Sequence, residues 1–126
     1  MPSETLALLL LSGTHERAHY AFVLAAGAAA LGRRVVLFAT NAGLRGLLAD
    51  WSGLDDAARD RLIRGRGVAG LDELRAAATD LGVVLLACEA GLRAEGIAAE
   101  ALLPGVTVAG VATFLEAARG AQIVTL

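Results

Sequence analysis

The chain has 126 residues, of which 56% are hydrophobic and 4% aromatic, with a net charge of −2. That length suits one domain over residues 1–126, burying about two-thirds of the surface of its unfolded chain. The near-neutral charge leaves no electrostatic case for a nucleic-acid partner. The mean hydropathy of +0.63 comes from Ala, Leu and Val, a surplus that implies apolar surface buried between subunits and therefore a homo-oligomer.

Cys88 is the only cysteine, so an internal disulfide is ruled out and a reducing, cytoplasmic setting is expected. Residues 1–5 carry a glutamate and no basic n-region, and residues 6–11 are too few for a signal h-region. The longest apolar stretch, residues 18–31, is broken by His19 and Gly27 and is too short to span a bilayer, so no membrane partner is expected.

In chain order, residues 5–11 read as a buried first strand, with Ser12-Gly13-Thr14 as the turn behind it. Thr14 is placed to cap a helix over residues 15–31, with Glu16 in its first turn and Gly32 closing it. A second buried strand spans residues 35–39, and a short helix spans residues 42–50. Residues 51–70 are the least regular part, with a short helix near 55–64 and then a mobile glycine-rich loop. A helix over 70–81 leads to a third strand from Val83 that ends at Cys88. Behind it comes a helix broken near Gly96 and resuming over 98–102, a fourth strand over 106–109, a helix over 112–119, and a last strand over 122–126. Strands alternating with helices imply a parallel sheet covered on both faces.

The third strand organises the chemistry. It delivers the one thiol to its C-terminal end, where parallel sheets carry their ligands. A sulfur at a strand–helix junction meets the unpaired N–H groups of the helix start, which favour an anion. Arg93 adds positive charge one turn on, and Glu89 works against it. The rival reading is a buried cysteine acting as small apolar filler. His15 and His19 are the only histidines; they could line the same sheet edge as proton movers, and nothing in their spacing completes a metal set. Ser12-Gly13-Thr14 resembles the hydroxyl-rich phosphate loop of flavodoxins. No glycine follows Thr14, however, and Ala18 stands where the last hydroxyl would be, so capping is the better reading. Neither a GxGxxG nor a Walker A pattern occurs. No cofactor and no metal are therefore expected. The Arg64-Gly65-Arg66-Gly67 cluster reads as a solvated loop able to close over an anionic partner.

Val83-Val84-Leu85-Leu86-Ala87-Cys88, followed by Gly91, Arg93 and Gly96-Ile97, resembles the DsrE/DsrF-like family of small sulfur-carrier proteins. Gly105-Val106, Val108, Gly110-Val111-Ala112-Thr113-Phe114 and, in the front half, Ser12-Gly13 and Ala21-Phe22 extend the resemblance over nearly the whole chain except residues 51–70. It implies a three-layer α/β/α sandwich with a five-stranded parallel sheet, assembled as trimers or hexamers. It also implies that Cys88 carries sulfur as a persulfide, exchanging it with the thiols of protein donors and acceptors. Arg93, His15 and His19 are the candidate helpers. The alternative is a non-catalytic oligomeric binding or scaffold protein of the same fold, with a structural Cys88.

Overall fold

The structure, a computed structural model, describes residues 4–126. The three uninterrupted aliphatic runs form β1 (Leu6–Leu10), β2 (Val35–Ala39) and β3 (Val84–Cys88). With β4 (Thr107–Ala109) and β5 (Gln122–Thr125) they make one sheet of order β4-β3-β2-β1-β5, and every pairing is parallel. This is the expected five-stranded α/β architecture. Leu6, Leu8, Leu10, Leu37 and Leu85 pack on one side of the sheet, and Ala7, Val36, Phe38, Leu86 and Cys88 on the other. Strands buried on both faces read as continuous hydrophobic runs.

The helices are α1 (His15–Ala30), α2 (Arg59–Arg64), α3 (Leu71–Asp80), α4 (Glu89–Glu95) and α5 (Val111–Ala117). Thr14 caps α1, its hydroxyl accepting the Arg17 N–H at 3.3 Å. Gly32 stops the helix at a φ of +84, a conformation that favours glycine. The strand order explains how unequally the layers are filled. From β1 to β4 each crossover steps the same way, so the right-handed rule puts the connecting helices on one face. Only the return from β4 to β5 reverses direction, and α5 alone therefore covers the second face. That face leaves Val84 and Ile123 exposed on the strands, and Val111 and Leu115 exposed on α5.

Three elements differ from the sequence-based expectation. The helix expected over residues 42–50 is a 3-10 turn, Asn41–Leu47. Its glycines are pressed so close that a Cβ on Gly43 would collide with the Leu10 carbonyl, and one on Gly46 would sit 3.2 Å from the Ala18 methyl. The helix expected from residue 55 begins only at Arg59, behind Asp56 at a φ of 59, which is outside the helical region. After Gly96, left-handed at φ 67, the chain makes only the 3-10 turn Ala99–Ala101.

Residues 51–70 are tied down near both ends as a strap, and the glycine-rich stretch 64–68 within it is exposed. The Asp55 N–H donates to the Gly13 carbonyl and the His15 N–H to the Asp55 carbonyl, each at 2.9 Å. Leu54 and Asp60 are buried, and the Trp51 Nε1–H donates to Asp72 at 2.8 Å. From α3, the buried Arg75 guanidinium donates to the carbonyls of Gly46, Leu48 and Ala49 at 3.2, 2.6 and 3.3 Å, satisfying the end of the 3-10 turn. Burial pushes its pKa down, and nearby Asp72 offsets part of that. Among the described residues, no helix is long and apolar enough to cross a membrane.

Candidate functional site

β3 ends at the C-terminal edge of the sheet with Cys88, and α4 starts at the next residue. Cys88 is the N-cap residue of α4: its backbone is extended (φ −65, ψ 120), and its Sγ accepts the Gly91 N–H at 3.3 Å. Serine, threonine, aspartate and asparagine are the usual caps, because their oxygens accept such a bond well. A neutral thiol is a weak acceptor, whereas an anionic sulfur gains more from the same N–H. The residue is 8% exposed. It lies in the buried cluster of the second face, with Phe38, Leu86 and Phe114, and its register partner on β4 is Ala109.

Glu89 and Arg93 stand exposed on α4 as a loose pair, 3.9 Å from Oε1 to the guanidinium. Such exposed pairs add little stability. Gly91 is small for packing reasons and not to make room beside the sulfur. A Cβ there would lie 2.7 Å from Thr40 Oγ1 and 3.1 Å from Leu44 Cδ1.

The two histidines are held elsewhere, on the first face. His15 is fully buried, its Nε2 lies 2.8 Å from Asp60 Oδ1, and Arg59 faces its Nδ1 at 3.4 Å. With Arg59 as donor to Nδ1, Nε2 carries the proton that Asp60 accepts. The His19 Nε2–H donates to the Ala69 carbonyl at 2.8 Å, and its ring stacks on His15 with centroids 5.4 Å apart. Asp60, 4% exposed, also accepts the Leu71 N–H at 2.8 Å and Arg64 Nε at 3.1 Å. Burial alone would raise the Asp60 pKa. The hydrogen bonds from His15 and Leu71, with the charge of Arg64, outweigh burial and hold it below the ordinary value. Both histidines are thus committed to locking the strap, which leaves neither facing the thiol as a proton mover. The Asp60–Arg64 spacing was visible in the sequence. The partner 45 residues away was not.

Thr14 spends its hydroxyl on the α1 cap, and Gly13 packs against Ala42, so the Ser12–Gly13–Thr14 loop serves structure. Among the described residues, no group of 3 or more His, Cys, Asp or Glu side chains is gathered as a metal ion requires.

Comparison with known proteins agrees with the fold. The structure resembles that of the protein of unknown function MTH1491 from Methanobacterium thermoautotrophicum, at 19% identity and a TM-score of 0.60, covering 98% of this chain and 100% of that one. It also resembles the ychN protein from E. coli, at 15% identity and a TM-score of 0.69, covering 100% of both chains. No curated protein matches. The family model described as DsrE/DsrF/DrsH-like matches residues 49–126, a stretch that contains β3, Cys88, α4, β4 and α5. The match covers more than half of the sequence, and the chain belongs to the DsrE/DsrF/DrsH-like family.

Proposed function

We propose that the protein is a sulfur carrier that accepts and donates sulfane sulfur as a persulfide on Cys88. The observation that carries the reading is the Gly91 N–H directed at Sγ, at 3.3 Å, on the one thiol at the end of a central strand. Family membership supports it. In the loading step the Cys88 thiolate attacks the terminal sulfur of a donor persulfide, forming an Sγ–S bond as the donor S–S bond breaks and the donor leaves as thiolate. In the unloading step an acceptor thiolate takes that sulfur and Cys88 is regenerated. The exchange is neutral in electrons overall, so no cofactor is called for. Arg93 is the electrostatic helper that offsets Glu89 beside the cap.

The carrier works as a homo-oligomer, trimeric or hexameric, as family membership suggests. A monomeric mass by light scattering at micromolar concentration would contradict this. The rival reading, a scaffold with a structural cysteine, draws on the burial of Cys88 within its cluster. Mixing with a protein persulfide donor separates the two. The wild-type chain gains one sulfur atom by intact mass and Cys88→Ser gains none. A wild-type chain that also gains none leaves the scaffold reading.

A further inference from the structure

The helix that stands over the second face is held to the molecule by very little. α5 reaches the sheet through Phe114, stacked on Phe38 at 4.9 Å and 12°, through the partly buried Ala117, and through Ala118 just past its end. Val111 and Leu115 are each 57% exposed. Among the described residues, the one side-chain hydrogen bond from this segment stays inside it, Arg119 to Glu116 at 2.8 Å. Gly110 at the N-cap has no side chain to cap the first turn, and Gly120 behind the helix is left-handed at φ +71. A helix shorter than about 12 residues is marginal in water by itself. α5 therefore persists because Phe114 is seated, and it belongs to the part of a fold that opens first.

Cys88 shares the buried cluster of Phe114, and its register partner Ala109 directly precedes Gly110. On the α4 side the packing is closed, with Gly91 against Thr40 and Leu44. Cys88, a residue only 8% exposed, meets no donor persulfide until something moves. We propose that α5 is a lid over Cys88, hinged at Gly110 and Gly120 and latched by Phe114 on Phe38, whose opening sets the rate at which the thiol reacts. The lid deepens the carrier reading and rests on it. Its test uses iodoacetamide and no persulfide, so the two fail separately.

The experiment follows Cys88 alkylation by intact mass at fixed pH, alongside hydrogen exchange of the α5 amides in the whole chain. In the wild type, α5 exchanges before β1, β2 and β3. Phe114→Leu removes the aromatic stack and speeds both α5 exchange and alkylation by the same factor, between about twofold and tenfold. Gly110→Ser supplies the missing cap in open space, with nothing within 4 Å of the new Cβ, and slows both by up to about twofold. Alkylation that stays constant while α5 exchange rises overturns the lid, as does an α5 that exchanges only with global unfolding. Should Phe114→Leu fail to fold, Gly110→Ser decides: unchanged alkylation overturns the proposal. A Cys88 that alkylates in step with α5 opening but takes up no sulfur leaves the lid standing and removes the carrier.

Discussion

Replacing Asp60 by asparagine probes how the strap is held. The carboxylate receives His15 Nε2 and the Leu71 N–H on Oδ1, both at 2.8 Å, and Arg64 on Oδ2 at 3.1 Å. Asparagine keeps the shape and one acceptor oxygen, so the two Oδ1 bonds survive as neutral ones. Its amide then points N–H groups at a guanidinium, and the third bond is lost. Hydrogen bonds to charged groups contribute about 1.5–3 kcal/mol and neutral ones about 0.5–1.5, so the two Oδ1 bonds weaken by about 1 kcal/mol each, while the bond to the solvent-screened, half-exposed Arg64 adds little, a net loss of about 2 kcal/mol. Asp60→Ala leaves two buried donors, His15 Nε2–H and the Leu71 N–H, without an acceptor at about 1–3 kcal/mol each, and so costs about 3–5 kcal/mol, a large share of an ordinary domain's stability. Urea unfolding followed by Trp51 fluorescence reads this directly. Trp51 is the only tryptophan, and its ring lies 5.9 Å from that of His15.

The pH dependence has a definite sign. The folded Asp60 pKa lies below its ordinary 3.8, so its contribution is complete above that value and disappears as pH falls through the lower folded one. The gap between wild type and Asp60→Asn is therefore widest near neutrality and closes in acid below about pH 4. An asparagine variant within about 0.5 kcal/mol of wild type at neutral pH, where ordinary surface substitutions fall, would refute the reasoning.

Gly91→Ala forces a Cβ to 2.7 Å from Thr40 Oγ1, so it displaces α4 and lowers stability by about 1–3 kcal/mol, measured by denaturant midpoint. Arg75→Met strands the Gly46, Leu48 and Ala49 carbonyls at the end of the 3-10 turn, with an expected loss of about 3 kcal/mol in the same assay. Cys88→Ser keeps an acceptor for the Gly91 N–H, and serine is a favoured cap, so its melting temperature stays within a few degrees of wild type.

The strands and their order of burial were legible because aliphatic runs bounded by glycine and capping residues carry a local signal. β2 lies where the run of residues 35–39 put it, and Thr14 caps α1 as its position suggested. What was not legible depends on contacts far apart in sequence. The 3-10 turn at Asn41–Leu47 follows from Gly43 and Gly46 being wedged against Leu10 and Ala18, which no periodicity records. The burial of Asp60 was not legible, because the charged residues around it have the composition of a solvated helix face. It is held by His15, a partner on another element. The position of Cys88 at a strand end was readable from the abrupt change in composition behind it. Its part in capping α4, and its place in one buried cluster with Phe114, follow from the geometry of the folded sheet.

The most direct test of the central claim follows one labelled sulfur atom through both halves of the exchange. The protein is loaded from a donor persulfide carrying labelled sulfane sulfur, separated from the donor, and mixed with an acceptor thiol. The account predicts one label per chain on the Cys88 peptide after loading, its transfer to the acceptor with the free thiol restored, and no label on Cys88→Ser. Label absent from the Cys88 peptide, or bound there and never passed on, would contradict the claim that this thiol is a sulfur carrier.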